Sequence, residues 1–118
     1  MTVKPSDLER IEHILESIYK IYAYTDDIGF VEFSKTPLIQ DAVIKNYEII
    51  GEAAYHISAE LKEKYENIDW KNMQGLRHVL VHDYYKINPE ILWNTKEQEL
   101  HTLLLDLEDL LKSETKNF

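Results

Sequence analysis

The residues best suited to chemistry sit together in Leu76-Arg77-His78-Val79-Leu80-Val81-His82-Asp83-Tyr84-Tyr85. Arginine grips phosphate oxygens through a planar, permanently charged fork. Histidine exchanges protons near neutral pH. Arg77 with His82 is therefore a pair suited to phosphoryl chemistry. The only other arginine is Arg10, and Arg77 lies among leucines and valines. A charge placed there carries a large desolvation penalty unless it is paired or faces a cleft.

The spacing constrains how the pair can act. On a regular helix Arg77 and His82 point about 140° apart and lie about 7.5 Å apart along the axis. Within one chain they converge only if the helix unwinds near His82. Across a symmetric dimer, two copies could meet in one cleft. The plainer alternative is Arg77 paired with a carboxylate and His82 closing a helix end. His78 and His82, at i and i+4, share a face as a metal site requires. Val79 stands where a catalytic glutamate would be, and the remaining ligand candidates are Asp83 or the distant His56 and His101. No metal is assigned. Tyr84 and Tyr85 read as rings packed in the core with hydroxyls reaching solvent, or as hydroxyls open to modification.

The elements that must position these groups read as helices. Ser6-Asp7-Leu8-Glu9 has the form of a capping box. Leu8, Ile11, Leu15, Ile18 and Tyr22 follow as an amphipathic stripe, ending near Tyr24. A connector runs to about Lys35 and holds the sole strand-like segment, Ile28 to Phe33. Thr36-Pro37 opens a second helix, expected to reach about Lys64. Its Gly51, Ala53 and Ala54 form a small-residue patch on which another helix can approach closely. Asp69 caps a third helix that begins at Trp70 and runs into the Arg77–His82 stretch. Asn88-Pro89-Glu90 opens a fourth, rich in leucine from Leu100 to Leu111, with a polar, frayed tail from about residue 113. The expected fold is all-α: a four- to five-helix up-and-down bundle in a single domain spanning 1–118.

Composition narrows the function. The chain has 118 residues, 44% of them hydrophobic, which suffices for one core. The absence of cysteine removes disulfides and thiolate metal sites. No apolar leader or membrane-length run is visible, so the cytoplasm is the expected location. The net charge of −9 argues against a broad basic footprint on nucleic acid and suits a partner with a positive surface. The tyrosines and the two tryptophans lack the interleaved Lys and Arg of an extended base-stacking groove.

Arg77 through Tyr84 resembles the R-x4-H-x-Y motif of HepT-type toxins, small helical ribonucleases of the HEPN superfamily. The similarity extends over roughly residues 45 to 112. It takes in Ile50-Gly51-Glu52-Ala53-Ala54, Ile68-Asp69-Trp70 and Ile87-Asn88-Pro89-Glu90-Ile91-Leu92-Trp93. The resemblance implies a HEPN-like homodimer whose two motifs line one cleft. It implies metal-independent RNA cleavage in which the 2′-hydroxyl attacks the adjacent phosphate. His82 would act as general acid or base, and Arg77 would stabilise the phosphorane. His78 departs from the family's usual asparagine and becomes an auxiliary candidate. The implied partner is an MntA-like minimal nucleotidyltransferase antitoxin of a type VII system. It would use ATP to place AMP on Tyr84, with Tyr85 as a second possible acceptor. The chain itself would need no cofactor. A rival reading from another class is a non-catalytic helical adaptor that presents substrate to a nucleotidyltransferase.

Overall fold

The computed structural model describes residues 5–77 and 88–116. His78, His82, Tyr84 and Tyr85 lie outside the described residues. Among those described there is no strand, and the elements are α1 (Pro5–Thr25), α2 (Phe30–Ser34), α3 (Pro37–His56), α4 (Ala59–Lys64), α5 (Trp70–Gly75), α6 (Pro89–Thr95), a π-helical turn (Lys96–Leu100) and α7 (His101–Thr115). The fold is the expected all-α bundle.

Three long rods carry it: α1, α3 and the continuous helix made by α6, the π turn and α7. Ile11, Ile14, Ile18 and Ile21 of α1 are fully buried, each contributing roughly 2 kcal/mol of apolar transfer. They meet Val43, Tyr47, Ile50 and Ala54 of α3 and Leu100, Leu103, Leu107 and Leu110 of the last rod. Three contacts tie the rods together. Asp7 at the start of α1 reaches Ser58 just beyond α3, so those rods run antiparallel. Tyr19 donates to Glu108 at 2.5 Å, which ties α1 to α7. Tyr47 donates to the Leu92 carbonyl at 2.7 Å and links α3 to α6.

Several boundaries differ from the sequence expectation. α1 already includes Pro5, so Ser6 lies inside its first turn and is not a cap. The second helix stops at His56, well short of Lys64. Ile57 is extended, and Ser58 caps α4 by accepting from the Leu61 N–H. The break is enforced from outside, because the buried Asp7 carboxylate accepts from both the Ser58 N–H at 3.0 Å and its hydroxyl at 2.5 Å. The strand-like segment forms α2, whose Phe33 is buried and packs its ring against Trp93 at 5.2 Å. Thr36 does precede α3, but its hydroxyl bonds back to the Glu32 carbonyl at 2.7 Å and caps nothing. Among the described residues, helix continues past residue 113 to Thr115. Glu114 is only 6% exposed, accepts from the Tyr65 hydroxyl and pairs with Lys64 at 2.8 Å. Burial and the Glu114 hydrogen bond together push the Tyr65 hydroxyl up to about 12.

The predicted caps at Asp69 and Asn88 hold: Asp69 accepts from the Asn72 N–H and Asn88 from the Glu90 N–H. Among the described residues no helix is long and apolar enough to cross a membrane.

Candidate functional site

Arg77 is presented by a short, well-anchored element. Asp69 caps α5, Trp70 Nε1 donates to the Tyr65 carbonyl at 3.0 Å, and Met73 and Leu76 are buried. The α-helix closes at Gly75, where glycine weakens helical continuation. Leu76 and Arg77 then donate to the carbonyls three residues earlier, Met73 and Gln74. This is a tightened turn that ends α5 at Gly75, before Arg77; the rest of the third helix read from the sequence, from His78 on, lies outside the described residues.

That turn lies directly on α3. A β-carbon placed on Gly51 would fall 2.6 Å from the Arg77 backbone nitrogen and 2.7 Å from its Cβ. Only glycine admits this approach, which makes concrete the close contact expected of the small-residue patch. The same stretch of α3 then holds the side chain. Glu52 Oε2 accepts from Arg77 Nη1 at 3.3 Å. The guanidinium carbon lies 3.9 Å from the Tyr55 ring centroid, a cation–π contact. His56 Nε2 bonds the other Glu52 oxygen at 3.0 Å.

The Arg77 side chain is 21% exposed, and that of Glu52 is 60% exposed. The Arg77–Glu52 pair is therefore not sealed in the core. The hydrogen bond from His56 first, and with it the Arg77 charge and hydrogen bond, hold the Glu52 carboxyl below the usual glutamate range against an opposing desolvation. A weakly bonded, solvent-facing carboxylate is a partner that an incoming phosphate can displace, since phosphate offers a guanidinium two acceptors at once.

Of the residues singled out from the sequence, Arg77 is placed, on the C-terminal half of α3. His78, His82 and Tyr84 cannot be placed relative to it, because they lie outside the described residues. Its surroundings, Glu52, Tyr55 and His56, come from α3 and carry no motif in the sequence. The signal available was the Gly51-Glu52 segment beside the motif. Among the described residues no group of three or more His, Cys, Asp or Glu is arranged to hold a metal.

A family model described as ribonuclease HepT-like matches residues 14–112, which take in both α3 and the Arg77 turn. The chain belongs to the HepT-like ribonuclease family. Similar proteins include one from Methanocaldococcus jannaschii, provisionally named an RNase. It is 38% identical over 95 residues, 80% of this chain and 87% of that protein. Another, from Caldanaerobacter subterraneus and also provisionally named an RNase, is 33% identical over 88% of this chain and 93% of its own length. A Thermococcus cleftensis protein, provisionally named ribonuclease HepT, is 34% identical over 93% of this chain and all of its own. No solved structure gives a significant match.

Proposed function

We propose that this chain is an endoribonuclease toxin that cleaves RNA without a metal, with Arg77 and His82 as its catalytic residues. The observation that carries the reading is the Arg77 cradle, in a member of a ribonuclease family. Gly51 admits the backbone, Glu52 and Tyr55 hold the guanidinium, and the Glu52 carboxylate faces solvent.

In the proposed reaction the ribose 2′-oxygen forms a bond to phosphorus while the bond to the 5′-oxygen breaks. One His82 imidazole takes the 2′-hydroxyl proton, and a protonated one supplies the proton to the departing 5′-oxygen. Arg77 neutralises the non-bridging oxygens as charge builds on them. Two copies of the motif, one from each protomer of a homodimer, would furnish both proton states. His78 is an auxiliary proton carrier or phosphate contact. The proposed control is AMP transfer from ATP to Tyr84 by an MntA-like nucleotidyltransferase, adding negative charge and bulk that repel RNA.

The test uses the purified full-length chain, an RNA substrate and excess EDTA. The expected result is cleavage that leaves cyclic phosphate and 5′-hydroxyl ends, is lost in His82→Ala, and falls about 100- to 1,000-fold in Arg77→Ala. Cleavage abolished by EDTA, or full activity in His82→Ala, overturns the mechanism. Induction in a bacterial host should arrest growth only with both residues intact. The net charge of −9 favours the adaptor as the second reading. A folded chain that binds a nucleotidyltransferase but leaves RNA intact would establish it.

A further inference from the structure

We infer that Tyr55 is a stacking platform for an unpaired RNA base beside the phosphate taken by Arg77, so that the substrate is single-stranded RNA; this rests on the ribonuclease reading above.

Tyr55 differs in its attachment from the tyrosines that tie the bundle together. Tyr19, Tyr47 and Tyr65 each commit a hydroxyl to a fixed acceptor on another element. Among the described residues the Tyr55 hydroxyl has no such partner. Its ring is engaged through the face instead, by the Arg77 guanidinium at 3.9 Å, with His56 edge-on at 5.1 Å. Yet 51% of the residue remains open to solvent. A large aromatic surface is thus held in place before any ligand arrives, and little rotamer freedom is left to lose on binding. It touches the one cation assigned to the scissile phosphate, so a base stacked on it belongs to a nucleotide at the cut.

The charge balance makes such a contact necessary. Lys and Arg number 13 against 22 Asp and Glu, and the cradle itself contains Glu52. Counterion release, the usual source of RNA affinity, is therefore small. Base stacking is uncharged and tolerant of sequence, and so can supply what the phosphates do not. A duplex cannot use the platform, because its bases are stacked on one another in a closed A-form helix.

The test measures binding of the full-length chain to a 2′-O-methyl oligonucleotide, which cannot be cleaved, alongside the same strand with abasic sites and its duplex. Tyr55→Leu should weaken binding of the normal strand about 5- to 150-fold. It should have little further effect on the abasic strand, and Tyr55→Phe should restore the base-dependent term. Helical content by circular dichroism verifies folding of each variant. An equal loss on the normal and abasic strands would overturn the inference, since Tyr55 would then act only by holding Arg77. So would equal affinity for strand and duplex, or no RNA binding by the wild type. Base-dependent binding without cleavage of unmodified RNA would support the platform while refuting the nuclease reading.

Discussion

Gly51→Ala probes the contact on which the site is built, and its sign is informative. In the middle of an unobstructed helix the change stabilises by about 1 kcal/mol, through helix propensity and a less flexible unfolded chain. Here the new methyl would lie 2.6 Å from a backbone nitrogen, whereas ordinary contact begins at 3.4 Å. The obstacle is main chain, which has no rotamer with which to move aside. α3 and the Arg77 turn must part by most of an ångström, against the buried Ile50 and Met73. Overpacking of this kind costs about 1–3 kcal/mol, here toward the upper end. The balance is a net loss of about 1–2 kcal/mol, or a Tm lowered by roughly 3–10 °C for a domain of this size. A displacement of that size at Arg77 should also lower RNA cleavage about 100-fold. Urea denaturation and cleavage assays on the same preparation measure both effects. Gly75→Ala is the control, because a β-carbon there meets nothing within 4 Å. A Gly51→Ala protein that is more stable than wild type, or as active, would refute the close approach.

Other expectations follow from single contacts. Asp7→Ala should destabilise by about 2–3 kcal/mol in urea denaturation, because two charge-assisted bonds to Ser58 vanish and a backbone N–H is stranded. Tyr47→Phe should cost only about 1 kcal/mol, since the Leu92 carbonyl that loses the hydroxyl still accepts from the Lys96 N–H. Glu52 should titrate below the ordinary value of 4.5 when followed by carboxyl NMR, and His56→Ala should move the midpoint upward. Because its pKa is depressed, the Arg77–Glu52 contact is fully formed above the ordinary glutamate value and is lost as pH falls through the lowered one.

What the sequence made legible was local. Thr36-Pro37, Asp69 and Asn88-Pro89 mark helix starts because the signals act within one turn. The leucine ladder from Leu100 onward places its face correctly because period and burial agree. The break at Ile57–Ser58 was invisible, because its cause is Asp7, 51 positions away. The helicity of Phe30–Ser34 was hidden too, because Phe33 is recruited by Trp93 from a distant helix. At the site, Arg77 stood out as a charge among apolar residues. Its holders did not, because Glu52 precedes it by 25 positions and an exposed glutamate or tyrosine carries no signal of its own. Tyr55 read as part of a rim, and only its distance to the guanidinium separates it from one.

The π turn at Lys96–Leu100 has a consequence for the last rod as a whole. Backbone angles remain helical through Thr95, Lys96, Leu100 and His101, so the rod continues while one turn carries a surplus residue. The apolar face before the turn, with Leu92, and the one after it, from Leu100 to Leu110, therefore belong to two phases of the same spiral. The turn works as a vernier between them. Leu92 keeps step with α2 and α3 while the leucines keep step with α1, so one rod packs both sets. At the slip point Lys96 is buried with its ammonium 3.4 Å from the Trp93 ring centroid, so the offset is closed by an aromatic face and its cation.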